Sequence, residues 1–325
     1  MGQSVKIIRH TSEIPSDVHG AVYAMGNFDG VHRGHQALVS LTKSIAAAQN
    51  RPAGVVTFEP HTLRVIRPDV PPFRLTPLRA KANLLADLDL DVLAALPFDL
   101  SMAQMDPHEF IKTLLVDGLQ AGHLVIGYDF CFGKSRAGNA EILHTAGQEF
   151  GFGVSIVDAV TIGESPYSST RIRRALQNGR PREAASLMGH WWEVDGRIMP
   201  GRQLGRTIGF PTANIHLGDY LEPAAGVYAV EVSIDEDHSD DLRPGIAYFG
   251  HRPTVDGKGC LLEVFLFDLE ADLYGRHLRV RFLDFIRSDE TFPNLESMKA
   301  QIVHDCDSAR AIFKKPETRV IPDAR

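Results

Sequence analysis

The sequence predicts an α/β domain followed by a small antiparallel β-barrel with a terminal helix, and three observations predict it. Up to about Gly189, short apolar runs alternate with helical patterns. That alternation is the sequence form of a doubly wound, Rossmann-like parallel sheet with helices on both faces. After Gly189, short strands and glycine turns follow one another without intervening helices, as in a small barrel. The chain has 325 residues, and at roughly 150 residues per domain it holds about two. The expected domains are 1–188 and 189–325.

Taken in order, Ala21–Phe28 reads as a strand that ends in the turn Asn-Phe-Asp-Gly. Gln36–Gln49 reads as a helix with Leu38, Leu41 and Ile45 on one face. Gly54–Phe58 is a strand, Leu78–Leu88 a helix and Val92–Leu96 a strand. Pro107 opens a helix that presents Phe110, Leu114 and Leu115 on its apolar side, and His123–Gly127 and Val154–Val157 are further strands. Beyond Trp191 and Trp192, Val227–Ile234 alternates, with Tyr228, Val230, Val232 and Ile234 on one side and Ala229, Glu231 and Ser233 on the other. Gly245–Phe249, Leu261–Phe267 and His277–Phe285 complete the strand-rich part. Asp235–Asp241 is expected to be a solvated acidic loop. Asn294 caps a helix in which Leu295, Met298, Ile302, Ala309 and Phe313 recur at helical spacing. The tail after Lys314 is expected to be loose.

Composition narrows the function classes. Hydrophobic residues make up 44% and charged residues 23%, which places the chain among globular proteins rather than disordered or fibrous ones. A net charge of -7 argues against general nucleic-acid binding. No apolar run approaches the 18 or so residues of a spanning helix, and Met1 to Ser16 contains no apolar leader core. Cys131, Cys260 and Cys306 are odd in number and far apart, so a reducing cytoplasm is expected rather than a disulfide framework. The expected partners are small-molecule substrates, with no nucleic acid, no membrane and no obligate protein partner.

Two segments carry chemistry. Gly26-Asn27-Phe28-Asp29-Gly30-Val31-His32-Arg33-Gly34-His35 follows a strand and opens a helix. Open α/β sheets bind ligands at such carboxyl ends, and a helix N-terminus offers free N–H groups to phosphate. His32 and His35 would stand by that terminus as donors to a transferring phosphoryl group. A zinc pair is the alternative, but no third ligand is evident nearby. Gly127-Tyr128-Asp129-Phe130-Cys131-Phe132-Gly133 again ends a strand, and Ser168-Ser169-Thr170-Arg171-Ile172-Arg173 opens a helix. Its hydroxyls and arginines suit distal phosphates, although plain capping also explains Ser169 and Thr170.

The second segment runs from Gly201 to Asn214. Gly201, Gly205 and Gly209 recur at spacing four, in a loop whose N–H groups suit phosphates. Phe210-Pro211-Thr212-Ala213-Asn214 follows, and the neutral oxygens of Thr212 and Asn214 suit Mg²⁺ beside nucleotide phosphates. Glu263 shares a strand face with Leu261 and Phe265. It reads either as a general base on an apolar face or as an edge-strand glutamate that points at water.

Gly-Asn-Phe-Asp-Gly-Val-His-x-Gly-His, Gly-x-Asp-Phe-x-Phe-Gly and Ser-Ser-Thr-x-Ile-Arg, in that order, resemble the bacterial bifunctional riboflavin kinase/FMN adenylyltransferase (FAD synthetase) family. Gly-Phe-Pro-Thr-Ala-Asn resembles its riboflavin kinase module. So do Gly226-Val227-Tyr228, Gly250-His251-Arg252-Pro253-Thr254, Asp272-Leu273-Tyr274-Gly275 and Ile286-Arg287 to Phe292. The resemblance covers about Ala21 to Phe313. It implies ATP-dependent phosphorylation of riboflavin to FMN, then adenylyl transfer from ATP to give FAD and pyrophosphate.

The resemblance also implies roles. Gly26 to Gly30, His32, His35, Asp129, Ser169, Thr170 and Arg173 would hold ATP in the transferase. Phe58, Pro60 and His61, from Thr57-Phe58-Glu59-Pro60-His61, would face its flavin. In the kinase, Gly201, Gly205, Gly209, Phe210, Pro211, Thr212 and Asn214 would form the nucleotide loop. Thr212 and Asn214 would hold Mg²⁺, Glu263 would be the base, and Arg287 and Glu290 would face the flavin. Three positions depart from the family pattern. Pro166 stands where an arginine is often found, Thr62 where proline is frequent, and Tyr248-Phe249 where a pair usually includes asparagine. The alternatives left open are a kinase whose transferase domain is degraded or differently specific, and a non-catalytic flavin-binding protein.

Overall fold

The computed structural model describes residues 5–163, 165–199, 209–235, 242–250, 261–269 and 273–322. Contacts divide the chain into two units, Met1–Pro71 with Thr76–Tyr167, and Pro72–Leu75 with Ser168–Arg325. Residues 168–188 are thus grouped with the second unit, whereas the sequence pattern places the boundary at 188/189.

The first unit is a six-stranded parallel sheet in the order β1-β4-β3-β2-β5-β6. The strands are β1 (Lys6–Ile8), β2 (Val22–Met25), β3 (Ala53–Glu59), β4 (Val92–Pro97), β5 (His123–Gly127) and β6 (Gly153–Val157). Alternate residues of β2 enter opposite cores. Tyr23 and Met25 pack with Ile111, Leu115 and Leu143, while Val22 and Ala24 pack with Val39, Ala46 and Leu85. Both faces are therefore covered, as expected for a parallel sheet.

The helices of this unit are α1 (Arg33–Gln49), α2 (Thr62–Ile66), α3 (Leu78–Ala86), α4 (Leu100–Gln104), α5 (Pro107–Phe110) and α6 (Ala140–Phe150). Ile111–Gly118 continues α5 as a π-helical segment. α1 begins three residues before the expected start. Its fully buried stripe is Val39, Thr42 and Ala46, with Leu38, Leu41 and Ile45 only partly buried beside it. A two-stranded hairpin, β7 (Thr161–Ile162) with β8 (Ser165–Pro166), carries Pro166 in an exposed position.

The second unit opens with α7 (Ser169–Gln177) and α8 (Pro181–Met188). A closed barrel follows, in the order β10-β13-β12-β11-β14-β9. Its strands are β9 (Glu193–Met199), β10 (Ala213–His216), β11 (Gly226–Ile234), β12 (Arg243–Gly250), β13 (Leu261–Leu266) and β14 (His277–Ser288), all neighbours antiparallel. At Gly196 a Cβ would stand 2.3 Å from the Ile215 side chain, so the β9–β10 crossing needs a residue without one. Inside, Tyr228 meets Phe282 and Phe285 edge-on, and Trp192 packs on Phe282.

Outside the barrel, α9 (Leu295–Phe313) lies on β11, β12 and β14 and covers Val227, Ala229 and Ile246. The Asn294 side chain caps it by accepting the Ser297 N–H at 2.9 Å, as the sequence predicts. The tail is not loose as far as Pro322. Thr318 is buried and donates to the Ile312 carbonyl, and Arg319 reaches the buried Glu231 at 2.7 Å. Residues 72–75 are strapped on by the Trp192 indole, which donates to the Leu75 carbonyl at 3.0 Å, and by Leu221 N–H to the Arg74 carbonyl at 2.8 Å.

Candidate active sites

Two sites result, one in each unit. In the first, chain order turns around at β2, with β3 and β4 on one side and β5 and β6 on the other. Ligand crevices open at the carboxyl ends of the strands flanking such a switch point. The Gly26–His35 segment follows β2 and the Gly127–Gly133 segment follows β5, so the fold brings these two predicted segments to one crevice.

The Gly26–His35 turn is tightly wound. Phe28 and Val31 are left-handed, with φ of 48° and 38°, and Gly30 has φ 87°. His32 caps α1, its Nδ1 accepting the His35 N–H at 3.4 Å. That acceptor role leaves the ring proton on Nε2, which makes His32 a donor. The His32 and His35 rings stack at 3.7 Å and 18°. Gly34 makes room for this, since a Cβ there would lie 3.1 Å from the His32 ring. His35 is neutral at ordinary pH. Burial, with smaller contributions from His32 and Lys81, holds it well below the usual 6.5. Its Nδ1 is buried and has no hydrogen-bond partner among the described residues.

Several residues expected at the ligand have internal partners. Asp29 is 2% exposed and accepts the Thr76 N–H at 3.0 Å, while Gly30 N–H donates to Thr76 Oγ1 at 2.8 Å. Phe28 is fully buried and supports the His35 ring at 4.9 Å. Phe58 is a buried residue set against Phe98 and Phe110. Pro60 and His61 follow β3. His61 caps α2 through Nδ1, which accepts the Leu63 N–H at 3.1 Å. The departure at Thr62 has a use here, because its hydroxyl reaches Asn27 Oδ1 at 3.4 Å, a contact proline cannot make. Asp129 is exposed at the end of β5.

In the other unit, Ser168 is the cap of α7, accepting the Arg171 N–H at 3.3 Å, and Ser169 and Thr170 form its first turn. Arg173 is held within this unit, donating to the Phe73 carbonyl at 2.8 Å with its guanidinium over the Phe73 ring.

The barrel site is a row across strands. Asn214 of β10 stands opposite Glu263 of β13, which stands opposite Tyr248 of β12. The row continues to Val227 of β11 and Arg287 of β14. Residues directly opposite one another share a sheet face. On β13, Leu262, Val264 and Leu266 are buried, while Leu261, Glu263 and Phe265 lie half-buried on the outer face. β13 is bonded on both sides, so Glu263 is not an edge-strand residue.

Phe210 meets Phe265 edge-on at 5.4 Å, which anchors the start of Phe210-Pro211-Thr212-Ala213-Asn214 beside Glu263. Neither Thr212 nor Asn214 is engaged through its side chain by another described residue. Two neutral oxygens beside a carboxylate fit a hard cation that is shared with phosphates. Among the described residues, no group of three or more His, Cys, Asp or Glu could hold a metal alone. Gly201, Gly205, His251 to Thr254 and Asp272 lie outside the described residues, as do 236–241 of the acidic stretch.

Arg287 is engaged within the barrel unit. It forms a bidentate pair with Asp305 of α9, at 2.9 Å through Nε and 2.9 Å through Nη2, and Asp305 is 1% exposed. It therefore ties α9 to β14. Glu290 is exposed. The Tyr248 hydroxyl donates to Asp289 at 2.9 Å, one residue before Glu290.

Sequence reasoning missed Thr76, Asp305 and Lys81. Lys81 had a signal, because Leu78, Lys81, Ala82 and Leu85 fall on one helical stripe and a lysine on an apolar stripe is unusual.

Comparison with known proteins shows the family. Residues 14–171 match the family model for FAD synthetase, and residues 188–313 match that for riboflavin kinase. The bifunctional riboflavin kinase/FMN adenylyltransferase of Escherichia coli (strain K12) is 41% identical over 309 residues, covering 95% of this chain and 97% of its own. That of Listeria monocytogenes is 37% identical over 303 residues, covering 91% and 93%. A solved Streptococcus pneumoniae structure described as a macrolide-efflux protein has a TM-score of 0.81 and 30% identity, covering 95% of this chain and 99% of that one. Among the described residues, no helix of this chain is long and apolar enough to cross a membrane. Both family models matched in one chain, with relatives alike over nearly its whole length, show that it belongs to the bifunctional riboflavin kinase/FMN adenylyltransferase family.

Proposed function

We propose that the protein makes FMN from riboflavin and ATP at the barrel, and FAD from FMN and a second ATP at the parallel-sheet unit. The observation that carries the first step is the cross-strand pair Asn214–Glu263 on the outer barrel face, with Thr212 beside it. Glu263 takes the proton of the riboflavin 5′-hydroxyl as that oxygen attacks the γ-phosphorus of ATP, and ADP leaves. Thr212 and Asn214 would hold Mg²⁺, which when bound screens the triphosphate charge. Phe210 fixes the approach of this segment by packing on Phe265.

In the second step, an FMN phosphate oxygen attacks the α-phosphorus of ATP and pyrophosphate leaves. No enzyme nucleophile is needed, because the attacking phosphate is already an anion. His32 donates from Nε2 beside the α1 N-terminus, and neutral His35 braces its ring, so catalysis is positioning plus charge stabilisation. Neither step involves nucleic acid or a membrane surface. A reducing cytoplasm suits Cys131 and Cys306, which are both free thiols.

The test is a time course of purified protein with riboflavin, ATP and Mg²⁺, flavins separated by chromatography. FMN followed by FAD is expected. FMN alone, with added FMN left unconverted, would refute the transferase reading. Unchanged riboflavin would refute the kinase reading.

A further inference from the structure

Lys81 is fully buried, on the face of α3 that also buries Ala82 and Leu85. Its Nζ donates to the Asn27 carbonyl at 2.7 Å and to Thr57 Oγ1 at 3.1 Å, and the Thr57 hydroxyl itself donates to the Asn27 carbonyl at 3.1 Å. Asn27 stands at the head of the turn that carries His32 and His35. We propose that Lys81 is a positioning residue of the adenylyl-transfer site, its buried ammonium holding the Asn27 carbonyl and so setting the direction of the Gly26–His35 turn. The proposal rests on the transferase reading given above.

Three arguments support it. First, removing an ammonium from water is costly, and an apolar side chain of the same length would fill this helix position without that cost. Second, in a trans peptide the C=O and N–H point in opposite directions, so pinning the Asn27 carbonyl fixes the Phe28 N–H. The next residues are wound into left-handed conformations at Phe28 and Val31, which persist only where surroundings over-determine them. Lys81 and Thr57 hold this turn from one side, and Thr76 holds it from the other through Asp29 and Gly30. Third, the ammonium places a desolvated positive charge near His35, which is itself neutral. A fixed charge close to a phosphoryl-transfer site in low dielectric acts without reorganisation.

The experiment uses the full chain, whose two activities report separately. Lys81→Met keeps length and removes charge. The expected result is FMN adenylylation slowed roughly 100-fold in kcat, the scale of a small misplacement of reacting groups. The KM values for FMN and ATP should move less than about threefold, since ligand contacts are not removed. Riboflavin phosphorylation in the same variant should be unchanged. Thr57→Val keeps the ammonium and removes one leg of the clamp, with an expected loss of about tenfold in the same kcat.

FAD formation within threefold of wild type in Lys81→Met would overturn the proposal, as would a loss expressed wholly in KM. If Lys81→Met lost both activities through misfolding, an unaffected Thr57→Val would overturn it as well, and a tenfold loss there would support it. Wild-type protein that forms no FAD from added FMN refutes the transferase reading itself, before either variant is compared.

Discussion

The turn after β2 and the strand row of the barrel place chemical groups in contrasting ways. On the turn, the fold takes up most of the motif's side chains. Asp29 binds Thr76, Phe28 is core, His32 caps a helix, and Asn27 is held through its carbonyl. Backbone and the start of α1 complete the segment. In the barrel, Asn214 and Glu263 stand opposite each other on the outer face, while Leu262 and Val264 supply the core from the other face. Alternation separates core from chemistry on a strand, and a turn offers no such separation. Substitutions at the barrel site should therefore damage rate without stability, and those at the turn should damage both.

Glu263→Gln is the sharpest break of that comparison. It should slow riboflavin phosphorylation about 10³-fold, within the range for losing a general base. FMN adenylylation and the urea unfolding midpoint read from tryptophan fluorescence should stay unchanged. Trp191 and Trp192 both lie in the barrel unit, so this signal reports on the structure that holds Glu263. A variant that loses stability in step with rate would show that the barrel face is not separable after all.

His32 tests the opposite case, because two functions meet in one ring. His32→Asn keeps a capping side chain and removes the Nε2 donor. FMN adenylylation should fall roughly 100-fold, with the stability of α1 nearly unchanged. His32→Ala should show the same rate loss and in addition cost about 1 kcal/mol of α1 stability, measured by amide hydrogen exchange. Equal stability in the two variants would mean that the Nδ1 cap contributes nothing.

The same contrast explains what the sequence revealed. Strands with apolar runs were legible, and β5 falls on the expected residues His123–Gly127. The face of Glu263 was legible too, since strand alternation sets it with Leu261 and Phe265, but alternation alone left open whether it is a base or points at water. Missed elements lack the period that a sequence reading looks for. α8 buries Ala184 to Met188 as one continuous run, and β9 has only Val194 and Ile198 fully buried, four residues apart. Asp29 of the turn, Phe58 of β3 and Arg287 of the barrel all have internal partners that the motifs did not announce. A motif names residues that recur together, and it does not say which touch ligand and which touch each other. The partners Thr76 and Asp305 lie 47 and 18 residues away, a separation that no local pattern records.

His35 gives the smallest effect and the one most specific to the turn. Its imidazole is held neutral by burial first, then by His32 and Lys81, well below the ordinary 6.5. Below pH 6.5 the unfolded chain takes up a proton at this residue and the folded chain does not. Stability therefore rises with pH through this window and is lost on acidification from 6.5 toward the folded value, by at most about 1.4 kcal/mol per pH unit. The tryptophans are in the other unit, so amide exchange along α1 at pH 5.5, 6.5 and 7.5, corrected for intrinsic rates, is the measurement. Wild type should lose protection between 6.5 and 5.5 and hold it between 6.5 and 7.5. His35→Gln, which does not titrate there, should flatten the acid part of that dependence. A variant as acid-sensitive as wild type would mean that His35 is charged in the fold. A charged His35 would place a second cation directly against the His32 ring, and the turn would bind phosphate by charge rather than by the orientation of neutral donors.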